Sequence, residues 1–233
     1  MLQTMLVIGG AGGVGKAVVE RARDCGLHVT AADLQDQADT DAQFYVQLDI
    51  INGAAISAVM KGGHWDHVVV AAGVNEAGLG RRSLAHLMEV NYLGPMDALW
   101  HWARQERSYV PLDHGKTRHF VVVSSNSAHI PRSKSVGYCA SKAALSMGVR
   151  AFARNANPGR TIWGVEPGWV SGTPMSDGVL EWLERNDPGT PPHRIPGDRT
   201  LKPEDLAWVI VDGILDDRQY YNGCMLRLDG GEI

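Results

Sequence analysis

The amino-acid sequence predicts an open, doubly wound α/β fold, a parallel sheet of about seven strands with helices on both faces. Short runs rich in β-branched residues alternate with longer segments of helical periodicity along the 233 residues, which is typical of repeated βα units. Several strand runs, such as HVVVAAG and HFVVVSS, are continuously apolar, as in strands covered on both faces. A cluster of glycines lies between the first strand and the first helical segment.

The strand segments are short and are bounded by polar or turn-forming residues, as expected for repeated βα units. We predict them at residues 5–8, 28–32, 44–48, 67–71, 119–124, 161–166 and 224–228. Apolar residues at helical spacing predict helices over residues 13–25, 82–107, 137–157 and 203–215. Pro203 fits the first turn of the last helix, where its missing N–H costs nothing. Chain length and the lack of a linker favour one domain over residues 1–233.

Composition argues against several classes of function, including nucleic-acid binding and membrane insertion. The formal net charge is −4 and the basic residues are scattered, which argues against nucleic acid as a partner. Cys25, Cys139 and Cys224 are far apart and form no CxxC pair, so we interpret them as ordinary thiols of a reducing compartment. No apolar run is long enough to cross a bilayer. We therefore expect a soluble, cytoplasmic protein that binds neither nucleic acid nor membrane.

The nine histidines do not indicate a metal site. They show no HxH or HExxH spacing, and we expect no metal in the reaction. His64 and His67 flank a Trp-Asp pair before a strand, and both are expected to be solvated.

One long segment, residues 171–200, is rich in turn-forming residues and has little periodicity. Inside a compact domain such a segment is more often a binding loop or lid than a linker. The letters GVLEWLER within it predict a short helix. Five apolar side chains in or beside this segment are expected to form a wall over a bound ligand, although Trp182 fits the packing face of that helix equally well. They are Trp169, Met175, Val179, Leu180 and Trp182.

The glycine cluster fits two spacings of nucleotide-binding turns. Gly10, Gly12 and Gly15 satisfy G-x-G-x-x-G, while Gly9, Gly13 and Gly15 satisfy G-x-x-x-G-x-G. Between a strand and a helix, glycine permits a tight turn, lets the backbone approach a pyrophosphate and leaves helix N–H groups for the anion. A flexible turn without a ligand and the turn of a methyltransferase remain as alternatives. The sequence therefore predicts a dinucleotide site.

The second predicted strand is followed by Asp33, 18 residues after Gly15. A carboxylate there accepts hydrogen bonds from the ribose hydroxyls of NAD and repels the 2′-phosphate of NADP. No Lys or Arg occurs in DLQDQAD, the stretch that begins with Asp33 and Leu34. NAD is therefore favoured over NADP.

Tyr138 and Lys142 stand four residues apart in a helical stretch, so they share one helix face. A free tyrosine has a pKa near 10, too high for a base at neutral pH. A neighbouring ammonium group and a positively charged nicotinamide ring both favour the phenolate, so we expect them to lower the pKa of Tyr138. Ser125 follows a strand 13 residues earlier and is expected to face the same crevice and to bond the substrate oxygen.

Together these motifs resemble the short-chain dehydrogenase/reductase family, and the similarity covers nearly the whole chain. They are IGGAGGVG, Asp49-Ile50, Asn91 in EVNYLG, Ser125, Tyr138 with Lys142, Pro167-Gly168 in EPGWV, and LDGG near residue 230. The resemblance implies a Rossmann fold, Tyr138 as general acid/base, and Lys142 as ligand of the nicotinamide ribose and activator of the tyrosine. It also implies that Ser125 orients the substrate and that Asn91 supports a proton relay.

The resemblance implies a set of cofactor contacts as well. It comprises Gly9, Gly13, Val14, Gly15, Asp33, Leu34, Asp49, Ile50, Ala72, Gly73, Tyr138, Lys142, Pro167, Gly168, Val170 and Thr173. Three features depart from the family pattern. Ile8 replaces the threonine of the glycine turn, the usual N-N-A-G is residues 70–73 with sequence VAAG, and Gly172 replaces a threonine. Thr173 comes one position later than the threonine that contacts the cofactor amide in the family.

The resulting hypothesis is an NAD-dependent dehydrogenase that interconverts a secondary alcohol and a ketone. The alternatives are an NADPH-dependent ketone reductase and a dinucleotide-sensing regulator without turnover. The substrate is expected to be a small or medium hydrophobic or cyclic alcohol or diol. Its expected contacts are Ser125, Ser127, His129, Trp169 and Met175. The family assembles through two long helices, which implies a homotetramer, or a dimer, formed by residues 82–107 and 137–157.

Overall fold

The computed structural model describes residues 3–36, 40–76, 84–105, 116–188 and 200–232. Its seven strands are β1 (Thr4–Ile8), β2 (His28–Asp33), β3 (Phe44–Gln47), β4 (His67–Val70), β5 (Arg118–Val123), β6 (Arg160–Pro167) and β7 (Met225–Leu228). They form one sheet in the order β3-β2-β1-β4-β5-β6-β7, and every neighbouring pair is parallel. The predicted fold class is confirmed, and each strand lies within one residue of its predicted ends.

Helices cover both faces of this sheet. They are α1 (Gly13–Asp24), α2 (Gly53–Gly62), α3 (Leu84–Met88), α4 (Gly94–Ala103), α5 (Val136–Ala153), α6 (Pro174–Asn186) and α7 (Pro203–Leu215). Trp102 and Phe120 lie in the core between the sheet and α2, α4 and α5, and Trp163 lies in the core beneath α1 and α7. None of the described helices is long and apolar enough to cross a membrane.

The predicted helix over residues 82–107 is interrupted. A single π-helical turn, Glu89–Leu93, separates α3 from α4, and residues 82–83 and 106–107 lie outside the described residues. Such turns insert one extra residue into a helix and often mark functional sites. Here the inserted turn carries Asn91, which is fully buried.

His67 was expected to be solvated, and this expectation is wrong. It is the first residue of β4, a strand buried on both faces, and its exposure is 1%. His67 Nδ1 accepts a hydrogen bond from the backbone N–H of His119 at 3.2 Å. His119 lies within 3.2 Å of both Asp217 and the Trp163 indole N–H, which donates to its Nδ1. Burial lowers the pKa of both histidines, so both are neutral at pH 7.

Candidate active site

A cavity of about 1390 Å³ lies at the carboxyl ends of the strands, and we call it the cleft. The strand order reverses between β1 and β4, the position where open α/β sheets form a ligand crevice. The predicted site residues all line the cleft except Gly15, Asn91, His129 and Leu180. The sheet therefore brings together residues that are far apart in the sequence.

The glycine turn is so tight that backbone atoms occupy the space a side chain would need at two of its positions. Gly9 has φ +85°, and a Cβ there would lie 2.4 Å from the backbone nitrogen of Ala72. A Cβ on Gly15 would lie 1.9 Å from the Gly9 carbonyl oxygen, so any side chain at either position forces the turn apart. Gly12 has open space where its Cβ would be and caps α1 without a side-chain bond. The N-terminus of α1 thus leaves room and N–H groups for an anion.

Asp33 supplies the stabilisation that Ile8 cannot. Its Oδ2 accepts the N–H of Ala11 in the glycine turn at 3.0 Å, and its Oδ1 accepts that of Leu34 at 2.8 Å. The N–H of Gly9 also donates to the Ala32 carbonyl at 2.7 Å. A carboxylate oxygen accepts more than one hydrogen bond, so Asp33 keeps acceptor capacity for a ligand on its cleft side.

Residues 70–73 lack the two asparagine amides that the family pattern has there. Backbone hydrogen bonds link this segment to β1 instead. The Ile8 carbonyl accepts the N–H groups of Ala71 at 2.8 Å and Ala72 at 3.1 Å. Asn91 then fixes the loop that follows: its Oδ1 accepts the N–H of Val74 at 2.9 Å, and its Nδ2 donates to the Val74 carbonyl at 2.8 Å. Nδ2 also donates to Ser141 Oγ at 3.0 Å, so Asn91 bonds protein groups on both sides of its amide, and it is not among the residues that line the cleft.

Tyr138 and Lys142 lie one turn apart near the start of α5 and both line the cleft. Lys142 Nζ is 5.7 Å from the centre of the Tyr138 ring and donates to the Val123 carbonyl at 2.9 Å. A Cβ on Gly73 would lie 3.3 Å from this Nζ, so the glycine leaves room for the ammonium group. Ser125 follows β5, and its Oγ accepts the N–H of Ser127 at 3.1 Å.

The family profile described as short chain dehydrogenase matches residues 3–184, which is well over half of the chain. The chain belongs to the short-chain dehydrogenase/reductase family. This dehydrogenase/reductase is 32% identical to the "Cyclic-di-GMP-binding biofilm dispersal mediator protein" of Escherichia coli (strain K12), over 98% of this chain and 96% of the relative.

Solved structures show the same fold as this dehydrogenase/reductase. The structure of BdcA in complex with NADPH is 25% identical with a TM-score of 0.78, covering 98% of this chain and 93% of that one. Levodione reductase is 20% identical with a TM-score of 0.83, covering 98% and 96%. The match extends along nearly the full length of each chain.

The electrostatics of the tyrosine differ from the expectation. In the dehydrogenase/reductase alone, burial raises the pKa of Tyr138 to about 12, and the Ser125 hydroxyl acts in the opposite direction. Burial also lowers the pKa of Lys142 to about 8. The protein by itself therefore does not prepare a phenolate, because the loss of water around the phenol outweighs its hydrogen bond with Ser125.

The two ends of the predicted lid, residues 171–200, lie next to each other. Ser171 Oγ lies 2.9 Å from Thr200 Oγ1, and Val170 forms an isolated parallel bridge with Leu201. The predicted short helix is present as the longer α6, whereas residues 189–199 lie outside the described residues. Thr173 caps α6 by accepting the N–H of Ser176 at 3.0 Å, so its hydroxyl serves the helix start rather than pointing freely towards a cofactor.

His129 was expected to contact the substrate, and the structure places it outside the residues that line the cleft. Its Nε2 lies 2.8 Å from Oε2 of Glu166, a fully buried carboxylate on β6. Buried polar atoms need hydrogen-bond partners, and the histidine ring provides one for Glu166. The sequence could not reveal this pair, because Glu166 reads as one more residue of a buried strand.

Several further residues that the sequence motifs did not mark also line the cleft. They are Asn75, Glu76, Leu84, His86, Leu87, Arg132, Lys134 and Leu183. Lys134 is paired with Asp187, which follows α6, so the loop between β5 and α5 is bonded to the lid. No motif marks these positions, since polar residues in loops are common in any sequence.

Proposed function

We propose that the protein is an NAD-dependent dehydrogenase/reductase that interconverts a secondary alcohol and a ketone. The observation that carries this proposal is the meeting of Ser125, Tyr138 and Lys142 in the cleft that also holds the glycine turn. A regulator that only binds a dinucleotide has no need of a proton-transfer group. Membership of the family supports the oxidoreductase class.

The cleft residues take distinct parts in this proposal. When bound, the nicotinamide of NAD supplies the acceptor for the substrate's hydride and a positive charge near Tyr138. Tyr138 takes the hydroxyl proton, Ser125 bonds the substrate oxygen, and Lys142 holds the nicotinamide ribose. The cationic ring offsets the effect of burial on the pKa of Tyr138. Asn91 holds the loop that shapes this part of the wall.

The choice of NAD is supported by the charges around Asp33. Three basic side chains line the described part of the cleft outside its histidine: Arg132, Lys134 and Lys142. They lie on the β5–α5 loop and on α5, and strands β1 and β4 stand between β2 and β5. A 2′-phosphate beside Asp33 would meet a carboxylate without a described cation next to it. BdcA was crystallised with NADPH, which makes NADP the alternative to test.

Asp33→Asn tests the cofactor choice. The variant keeps an oxygen that can accept the Ala11 N–H but loses the negative charge, so NAD binding weakens several-fold and NADP binding improves. Like charges at about 4 Å interact by a few kcal/mol near a protein surface, so the preference for NAD over NADP falls at least roughly tenfold. Calorimetric titration with each cofactor measures it. Asp36→Asn is the control, since Asp36 is exposed next to the cleft, and an equal change in both variants would refute a specific role for Asp33.

The walls of the cleft support an apolar or cyclic substrate. Trp169, Met175, Val179, Trp182 and Leu183 line it from the β6 end and from α6, whereas Leu180 is 40% exposed and faces outward. Ser127 and polar residues of the β5–α5 loop line the opposite wall. We propose a small or medium secondary alcohol with an apolar ring and a second polar group.

A regulatory protein is the second candidate, because the Escherichia coli relative is named as a cyclic-di-GMP-binding mediator. The absorbance of the reduced cofactor reports hydride transfer to NAD. Measured across a panel of cyclic and linear secondary alcohols, it distinguishes the dehydrogenase from the regulator. Turnover with any of these alcohols supports the dehydrogenase. Binding of cyclic-di-GMP by calorimetry, with no reduction of NAD by any alcohol, supports the regulator.

We also propose a homotetramer in the cytoplasm. Leu93, Trp100 and Met147 on the π-helical turn, α4 and α5 are 53%, 47% and 61% exposed, a large apolar surface for neighbouring helices to leave in water. Three free thiols fit a reducing compartment. Sedimentation velocity should give four times the mass of one chain. Trp100→Glu should shift the distribution to smaller species, and a wild-type monomer would refute the assembly.

A further inference from the structure

The segment that follows β7 forms a tight turn. Asp229 is 4% exposed, and its Oδ1 accepts the N–H of Gly231 at 3.1 Å. Gly230 and Gly231 have φ values of +64° and +85°, which suit glycine. Arg227 donates to the Glu232 carbonyl at 2.8 Å. The LDGG motif therefore directs the next residue, Glu232, back towards the sheet.

The Glu232 carboxylate bonds two points of the loop between β5 and α5. Its Oε2 accepts from Asn126 Nδ2 at 2.7 Å, and its Oε1 accepts from Arg132 at 2.5 Å. The Glu232 and Arg132 side chains are 12% and 15% exposed. Asn126 is 3% exposed. Charge-assisted hydrogen bonds in such a shielded place are stronger than on an open surface.

Asn126 follows Ser125 directly and is part of the turn that orients the serine. The N–H of Ala128 donates to the Ser125 carbonyl at 3.0 Å, and the N–H of His129 to the Asn126 carbonyl at 2.9 Å. Ser127 donates its N–H to Ser125 Oγ at 3.1 Å. A change in the turn therefore changes where the Ser125 hydroxyl points, and that hydroxyl interacts with the Tyr138 phenol.

We propose that Glu232 is a positioning residue that holds the Asn126 turn and so keeps Ser125 oriented towards Tyr138. The proposal rests on the proposed function for the roles of Ser125 and Tyr138 only. It gives the LDGG turn a task in the reaction, since the turn places a carboxylate beneath the catalytic serine. A purely structural anchor would affect unfolding but not the ionisation of Tyr138.

Glu232→Ala and Glu232→Gln test the proposal. The glutamine keeps an oxygen for Asn126, whereas the alanine removes both bonds. Asp216→Asn is the matched control, because Asp216 pairs with Arg218 at 2.8 Å on the surface after α7. Hydrogen exchange of the amides of residues 127–129 reads the turn without needing turnover. The kcat, the KM for NAD and the pH profile of alcohol oxidation, measured with the best alcohol of the panel, read the chemistry.

We expect faster exchange at residues 127–129 in Glu232→Ala, recovered in Glu232→Gln and unchanged in the control. The alanine variant should lose kcat by about tenfold with little change in the KM for NAD, as misplacement of a reacting group does. Its pH profile should move to higher pH by roughly half a unit, because an oriented hydroxyl favours the phenolate. Wild-type exchange in the alanine variant overturns the proposal, as does an unchanged kcat and pH profile. Faster exchange in a protein that oxidises no alcohol would instead refute the proposed function while keeping Glu232 as the holder of the turn.

Discussion

Tyr138→Phe should abolish turnover while NAD binding stays within about twofold of the wild type. The phenol is the group in the cleft from which the proposed reaction takes its acid/base function, and such groups contribute roughly a hundred- to ten-thousandfold to a rate. The ring remains in place, so the wall around it is preserved. Steady-state rates with the best alcohol and calorimetry with NAD measure the two quantities separately.

Tyr221→Phe is the matched control for this experiment. Tyr221 packs against Trp163 on the other side of the sheet, so its loss of a hydroxyl should leave the rate unchanged. Full activity in Tyr138→Phe would eliminate proton transfer by Tyr138. A loss of NAD affinity in Tyr138→Phe, with the rate at saturation preserved, would assign the phenol to cofactor binding instead.

Lys142→Met should make the folded protein more stable while it removes activity. Burial lowers the pKa of Lys142 from 10.5 to about 8, which corresponds to roughly 3 kcal/mol of free energy. Methionine avoids this cost but leaves the Val123 carbonyl without its hydrogen bond, a loss of about 1 kcal/mol. The net gain in the free energy of unfolding is therefore about 2 kcal/mol at neutral pH, measurable by urea denaturation.

The pH dependence of that gain follows from the direction of the shift. Below about pH 8 the lysine is protonated in both states, and the folded state bears the whole cost. Between about pH 8 and 10.5 the folded protein loses this proton before the unfolded chain does, so the wild type gains stability as the pH rises. The advantage of Lys142→Met should therefore be largest below pH 8 and should shrink above it.

Lys61→Met on α2 is the control, because Lys61 is exposed. It should leave stability nearly unchanged at every pH. A Lys142→Met protein that is less stable than the wild type at pH 7 would show that the ammonium group is well solvated or strongly paired in the fold, contrary to its burial.

The sheet could be predicted from the sequence because burial on both faces makes strands such as β4 and β5 continuously apolar. The glycine turn and the pair of Tyr138 and Lys142 were predictable for a different reason. Each is formed by residues that are close together in the chain. Helix α2 was missed. Only Ile56 and Met60 are buried on it, and glycines stand at both of its ends, so its apolar pattern is too short to separate from a loop.

Features that depend on contacts between distant segments were not predictable. The His67 ring on β4 accepts a hydrogen bond from the backbone N–H of His119 on β5. The His129 ring lies against the Glu166 carboxylate on β6. In the sequence nothing distinguishes Glu232 from other polar residues, and only the fold brings it next to Asn126. The pKa of Tyr138 in the protein without cofactor could not be predicted either, because the loss of water around the phenol depends on the whole cleft, whereas the sequence displays only the neighbouring lysine.

A single-residue deletion between Met88 and Gly94 is expected to disturb the core packing of α3 and α4 less than a deletion within either helix. Each residue of an α-helix rotates the chain by about 100°, but the π-helical turn takes up its extra residue locally, so α3 and α4 keep the same phase on either side of it. Leu87 and Trp102 both face the core with Asn91 between them. Removing one residue there would restore a continuous α-helix and keep both side chains in their layers, but it would displace Asn91 from the loop that it holds at Val74. The extra residue of the π-helical turn therefore serves the placement of Asn91 beside the cleft, and the core packing of the two helices does not depend on it.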